Sequence, residues 1–371
     1  MPICSRGKPA YDVQSLLVMT DLWMTLNIAL VGYGYAGRVF HAPLIQACPG
    51  LQLHTLVSSK SASETGLHAV RHLQDIDAAL ADPQLDALVI ATPNDSHAAL
   101  ACRALDAGKH VLVDKPLATR HAEAAAIFAA AGRAGKIASV FQNRRWDADF
   151  LTLQTLIEEG QLGRIAEFHS HFDRHRPQPR QRWRESDAPG AGLWFDLGPH
   201  LLDQALQLFG SPLALQADIG RQREGAQGDD YFDITLFYPS MRAHLHAGSL
   251  VLDARLRFAV HGERGSFVKY GLDQQEKALL AGQVPGQEGW GQDPQAGTLS
   301  QLDAEGACIQ QTIAGKPGDY LRCYSGWRDA MLGLAEPPVS VTQALQLMEL
   351  LELAVRSSRQ GQRLALPNPQ A

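Results

Sequence analysis

Residues 26–47 read LNIALVGYGYAGRVFHAPLIQA. A run that is apolar except for Asn27 ends at Gly32, and Gly32, Gly34 and Gly37 then fall in the spacing G-x-G-x-x-G. Strand, glycine turn and helix in that order make a dinucleotide-binding fingerprint. The first glycine permits a tight turn, the second lets a pyrophosphate approach the backbone, and the third lets helix and strand pack closely. The helix N-terminus then offers free N–H groups and a partial positive charge. Tyr35 and Ala36, inside the turn, are counted with the glycines as cofactor-binding residues.

Outward from this unit, LQLHTLV (51–57), LDALVIA (85–91), HVLVD (110–114) and IASVF (137–141) are further apolar strands. Alanine-rich helical stretches lie between them, at 97–107 and 118–134. That alternation predicts a parallel, doubly wound sheet of the Rossmann kind over residues 25–145. The rhythm changes after about residue 150. A helix at 150–159 and a glycine turn at 160–163 lead into segments of period two at 165–175, 230–239, 242–251, 255–262 and 265–271. These predict a mostly antiparallel sheet with one face covered. A helix is expected near 193–209, an irregular insertion over 272–318, and helices at 320–334 and 341–360. The fold class is therefore α/β: a Rossmann domain followed by a C-terminal α/β domain, 146–371, for substrate binding and oligomerisation.

A chain of 371 residues favours two domains. Lys plus Arg number 33 and Asp plus Glu 39, a net charge of −6, which argues against nucleic-acid and acidic-membrane partners. The basic cluster from Arg174 to Arg184 is broken by prolines and Trp183 and suits a loop that grips a polar small molecule. Five widely spaced cysteines without a CxxC argue against a disulfide framework and against a metal site, and point to the cytoplasm. No apolar run approaches the roughly 20 residues that span a bilayer. Residues 1–24 are expected to be a disordered extension rather than a signal peptide, with Met24 a candidate start.

The chemistry-bearing residues lie where parallel strands end, at the edge of the sheet that binds ligands. Ser58, Ser59 and Lys60 follow the second strand, where an acid would hold the ribose of NAD(H). Two hydroxyls and a cation suit a 2′-phosphate, so NADP(H) is expected over NAD(H), which stays possible. The alternative for Lys60 is a solvated turn residue. Thr92, Pro93, Asn94 and His97 follow the next strand as cofactor candidates, Asn94 also as a helix cap. Asp114, Lys115 and Pro116 end another, and Lys115 there can reach both a nicotinamide ribose and a substrate oxygen. A cis bond before Pro116 is an option. In GAGLWFDLGPHLLD (190–203), Asp196, His200 and Asp203 are spaced to share one helical face. A carboxylate beside an imidazole can orient it for proton transfer, and Pro199 complicates that pose. A capping Asp with a core His is the structural alternative.

Taken in order, the glycine fingerprint, Thr92–Pro93–Asn94, Asp114–Lys115–Pro116 and residues 190–203 resemble the Gfo/Idh/MocA oxidoreductase family. GYGYAGRVFHAPLI, FQNRRWDADFLTL, HFDRHRPQPRQRWRE and VKYGLDQQE carry a further likeness to its branch with NADP-dependent scyllo-inositol dehydrogenases. The resemblance implies that Lys115 binds the ribose and the reacting oxygen, that His200 gives and takes a proton, and that Asp196 orients it or shares the proton. Asp114 stands where members usually carry Glu, and Pro199 is unusual there. Asn143 and Arg144 would line the cofactor site. Arg174, His175, Arg176, Arg182, Trp183 and Tyr324 would grip a polyol, inositol or sugar. The open sheet of the second domain would pair subunits into a homodimer or homotetramer. Another sugar or a dihydrodiol as substrate, and a non-catalytic NAD(P)-binding regulator, are the rival functions.

Overall fold

The computed structural model describes residues 25–253 and 255–366. The expected extension at 1–24, and Cys4 within it, lie outside the described residues. In β1 (Leu26–Val31) every residue but Asn27 is buried, as suits a parallel strand covered on both faces. β2 (Leu51–Val57), β3 (Arg71–Leu73), β4 (Ala87–Ile90), β5 (His110–Asp114) and β6 (Ala138–Phe141) join it in one parallel sheet. The order is β3-β2-β1-β4-β5-β6. The chain reverses direction across the sheet between β1 and β4, so their carboxyl ends border a crevice. The edge strand β3 is a finding: Arg-His-Leu carries no apolar run to announce it.

The glycine turn leads through a single π-helical turn, Gly37–His41, into helix α1 (Ala42–Ala47). Helices α2 (His97–Asp106) and α3 (His121–Ala134) connect later strands, and α4 (Ala148–Glu158) begins the second half.

Among the described residues the second sheet has nine strands. They are β7 (Ile165–His171), β8 (Ala214–Gly220), β9 (Tyr231–Phe237), β10 (Arg242–Gly248), β11 (Leu256–Gly262), β12 (Gly265–Tyr270), β13 (Gly297–Leu302), β14 (Cys308–Ile313) and β15 (Leu364–Ala365). Their order is β14-β13-β12-β11-β7-β10-β9-β8-β15. All pairs are antiparallel except β7 with β10. Helices α5 (Gly192–Phe209) and α7 (Val341–Gln360) pack on one face, and the strands alternate buried and accessible residues accordingly. Residues 272–318 correct the expectation of an irregular insertion. They hold a short helix, Gln275–Leu280, and the hairpin β13–β14, whose strands GTLSQL and CIQQTI are too polar to read as core strands.

One apolar cluster joins α2, α3, α5 and α7 to the second sheet. Another fills the opposite face of the parallel sheet and includes Val39, Leu44 and Phe141 with Tyr320, Cys323, Tyr324 and Trp327. The last three belong to helix α6 (Leu321–Met331), which returns from late in the chain to cover the first sheet.

Arg145 ties these layers together. Its Nε and Nη2 donate to the two oxygens of Asp203 at 2.8 and 2.6 Å, and its Nη1 donates to the Pro338 carbonyl at 2.7 Å. Both partners are buried. Removing one charge strands the other, so Asp203→Asn is expected to cost about 3–5 kcal/mol of stability. Urea unfolding measures this, and an unchanged midpoint would contradict it.

Candidate active site

The three glycines of the turn have different physical reasons. Gly32 sits at φ +98, and a Cβ there would lie 2.6 Å from the Ala91 carbonyl oxygen. A Cβ on Gly37 would run into the Gly32 carbonyl oxygen. Around Gly34 there is open space, so only a ligand from outside needs that position bare. The helix that follows leaves its first N–H groups without intrahelical partners, which suits a phosphate. Lys60 and Ser59 are exposed beyond β2, and the Lys60 ammonium stands 5.9 Å from the centre of the Tyr33 ring. Ser58 Oγ accepts the Lys60 N–H at 3.2 Å. This bare cradle and its flanking cation fit a nicotinamide dinucleotide.

Several candidates prove to be braces of the cradle's far side. Thr92 Oγ1 and Ser96 Oγ are hydrogen-bonded at 2.6 Å. Asn94 is buried, and its amide donates to the Gly190 carbonyl at 2.8 Å rather than capping the next helix. His97 is fully buried, its ring nitrogens 2.9 and 3.0 Å from the carbonyl oxygens of Pro116 and Thr92. It holds two loops together beneath the site and offers no nitrogen to a ligand. The Lys115–Pro116 bond is cis. The Asp114 carboxylate turns inward, accepting the Lys115 N–H at 2.9 Å and lying 3.6 Å from His41 Nε2. Burial pushes its carboxyl up, but His41 overrides this and holds it at about 2.

Lys115 crosses from the first sheet to the second half of the chain. Its Nζ donates to the Asp196 main-chain oxygen at 2.5 Å and to Oδ1 at 3.2 Å. Asp196 lies on α5, whose N-terminus is fixed from outside: the Trp194 N–H donates to Asp229 Oδ2 at 2.6 Å. Burial raises the Asp229 carboxyl to about 6. Pro199 brings no N–H to α5, yet the helix runs through it unbroken.

Arg174 and Arg184 also reach Asp196, each at 3.5 Å. Burial would raise the Asp196 carboxyl, but Lys115, Arg184 and Arg174 together hold it well below the usual range. The Lys115 amine is pushed down by burial, against the pull of Asp196. One turn along α5, His200 is 4% exposed, and its Nδ1 finds no hydrogen-bond partner among the described residues. Burial drives its pKa well below the ordinary value, helped by the charges of Lys115 and Arg144. The imidazole is therefore neutral at pH 7. Asp203, third in the same stripe, is engaged by Arg145, so the spacing was right but the three residues do not act as one cluster.

Two small adjoining cavities flank Asp196. One is lined by Lys115, Asn94, Trp183 and Arg184. The other has Arg174, Arg176 and Arg182 on its walls. His175 forms an isolated backbone bridge with Leu250. Tyr324 is a correction: it is fully buried in α6, with its hydroxyl 2.6 Å from His41 Nδ1, inside the core of the first sheet rather than at the cavities. Asn143 is buried too. Arg144 pairs with Asp147 at 3.1 Å and with Glu276 at 3.3 Å. Glu276, which the sequence did not suggest, also accepts the Tyr35 hydroxyl at 2.6 Å and so bridges the glycine turn to the second domain. Arg184 was likewise missed, although it lies in the basic loop the sequence singles out.

These environments separate two glycine roles. Gly37→Ala is expected to lower the melting temperature by several degrees, since a steric conflict of about 1–3 kcal/mol shifts it by that much. Gly34→Val is expected to leave the melting temperature of the unliganded protein in place and to weaken dinucleotide binding at least about tenfold, the loss of 1.4 kcal/mol or more. Fluorescence titration and thermal melts distinguish the two, and equal losses in both assays would contradict the assignment.

With the geometry in hand, comparison with known proteins identifies the relatives. Residues 26–142 match the oxidoreductase family's NAD-binding Rossmann fold, and residues 154–366 match the family's C-terminal alpha/beta domain. YdgJ of Escherichia coli, an oxidoreductase whose reaction is uncharacterised, is 47% identical over 92% of this chain and 99% of its own. The scyllo-inositol 2-dehydrogenase (NADP(+)) IolW of Bacillus subtilis is 34% identical over 92% of this chain and 96% of its own. The solved structure of YPO2259 from Yersinia pestis superposes with a TM-score of 0.90 at 45% identity, over 94% of this chain and 99% of that one. Both halves thus carry the signature of one group of nicotinamide-dependent enzymes, and the chain belongs to the Gfo/Idh/MocA oxidoreductase family.

Proposed function

We propose that the protein interconverts a secondary alcohol of a polyol, inositol or sugar and its ketone, with NADP(H) as the preferred cofactor. The observation that carries this reading is the pairing of Lys115 with Asp196 next to a neutral His200, on the carboxyl-edge side of a sheet whose glycine turn is bare at Gly34. The printed activity of IolW, a scyllo-inositol 2-dehydrogenase, supports the substrate class. The hydroxyls of Ser58 and Ser59 and the exposed ammonium of Lys60 support the 2′-phosphate.

The glycine turn and Lys60 would hold the cofactor, which when bound supplies or accepts the hydride. This chain's residues do the rest. Lys115 would direct a proton of its ammonium at the substrate oxygen, steadying the negative charge that grows there during oxidation. His200, neutral and with an unused Nδ1, would take the hydroxyl proton and return it in reduction. Asp196 fixes the amine of Lys115 and opposes the downward pull of burial on it. Arg174, Arg176 and Trp183 would contact the remaining hydroxyls.

Two outcomes test the chemistry. Lys115→Ala and His200→Ala are each expected to lower kcat about 10²–10⁴-fold while NADPH still binds, the usual scale for lost proton transfer or oxyanion support. Full turnover in both would end this reading. Because the His200 pKa lies well below 6.5, the neutral base persists as pH falls, so the acid limb of alcohol oxidation is expected below pH 6.5.

The cofactor preference has its own test. Lys60→Ala is expected to cut kcat/KM for NADPH by about tenfold or more and to leave that for NADH nearly unchanged, since a charge-assisted bond to phosphate is worth about 1.5–3 kcal/mol. A wild-type enzyme that favours NADH would refute the preference. A panel of inositols, hexoses and dihydrodiols assigns the substrate.

A further inference from the structure

The alternating segments IAEFHSHFDRH and RAHLHAG contain two His-x-His pairs. Alternation sends both histidines of a pair to one face of a strand. β7 and β10 lie side by side and parallel, and their register sets His169 opposite His244 and His171 opposite His246. Four imidazoles therefore form two adjacent rungs on the face that α5 and α7 leave bare. The His169 and His244 rings stack with centroids 4.7 Å apart, and those of His171 and His246 lie 5.1 Å apart.

Each rung has a carboxylate. Just beyond β7, Asp173 brings Oδ2 to 3.1 Å from His171 Nδ1 and Oδ1 to 2.8 Å from His246 Nδ1. The Gly248 N–H donates to the same Oδ1 at 2.9 Å and fixes the carboxylate. Burial pushes the Asp173 carboxyl up, yet the hydrogen bonds from His171 and His246 hold it at about 2. In the other rung, Glu167 Oε1 lies 2.8 Å from His169 Nε2 and 3.8 Å from His244 Nε2, with Glu167 more exposed.

We propose that His171, Asp173 and His246 form a binding site for a divalent transition-metal ion of the zinc class, separate from the dehydrogenase site. Two imidazoles and a carboxylate are a common zinc donor set, and a tetrahedral ion with ligands at about 2.0–2.1 Å places its donors roughly 3.3 Å apart. The donor atoms here all lie within 4.8 Å of one another, with the two nitrogens at 2.8 and 3.1 Å from the carboxylate. The ion would replace the protons now shared between imidazole and carboxylate, and water would complete its shell. The Gly248 amide is the outer-shell donor that orients the carboxylate ligand. Asp233, opposite His246 on β9, adds negative charge nearby. Glu167, His169 and His244 are the looser counterpart, because Glu167 must hold its longer side chain in place from solvent.

The test is titration of the full-length protein, bound to NADPH and freed of metal, with zinc chloride at pH 7.5 against a chromophoric zinc indicator. Zinc is counted per chain at whatever oligomeric state the protein adopts. One tight equivalent is expected. The double variant His171→Asn, His246→Asn is expected to lose affinity about a hundredfold, while His169→Asn, His244→Asn keeps the tight equivalent. Circular dichroism and NADPH turnover check that each variant is folded. No tight zinc in the wild type, its retention by the first variant, or equal loss in both variants overturns the site.

Discussion

The amine of Lys115 bonded to Asp196 is the contact on which this molecule's arrangement turns. It joins the end of a parallel strand in one sheet to a helix packed on another. Lys115 also donates to a main-chain oxygen of α5, so the position of the amine is set by the helix axis as well as by a rotatable carboxylate. The pair works in partly desolvated surroundings, where each charge acts more strongly than it would in water. Burial penalises both members, and Lys115, Arg184 and Arg174 together hold the Asp196 carboxyl well below its usual range. Its charge in turn opposes the downward pull of burial on the Lys115 amine.

Around this pair, most polar residues work at one remove. His97 links the loops after β4 and β5, Asn94 reaches across to Gly190, and Asp114 faces His41. Both ring nitrogens of His97 are engaged in this way, so it has none to spare for a ligand. These residues fix the shape of a crevice that a few residues then use. This division explains why strand-end residues so close in sequence have different fates: Lys115 points into the crevice and Asp114, its neighbour, points into the core.

The parallel sheet was legible because its strands are buried on both faces and therefore appear as unbroken apolar runs, as in LNIALV and HVLVD. The catalytic candidates on β5 and α5 were legible because strand ends and helical spacing are local properties. What failed was whatever depends on a distant partner. Polar edge strands such as β3 and β14 exist through pairing with a neighbour, which no local pattern announces. Tyr324 carries a ligand-like hydroxyl, but α6 takes it to His41 in another core. Glu276 lies in a segment without apolar rhythm and yet reaches Tyr35. Asp203 fits the helical stripe and was claimed by Arg145 from outside the helix. In each case a side chain's role was decided by which group, far away in sequence, it came to face.

The return of α6 to the back of the first sheet makes the two halves mutually dependent. Tyr320, Cys323 and Trp327 serve as wall material for a domain whose strands were completed nearly two hundred residues earlier. A nucleotide-binding fragment cut after β6 would present a bare apolar bed, Val39, Leu44 and Phe141 among it, to water, and such surfaces invite association. During synthesis the same bed waits, uncovered, until the chain's last third leaves the ribosome. Modular exchange with a relative would have to carry this late helix along with the early strands, so the unit that evolution can swap here is larger than the Rossmann fold itself.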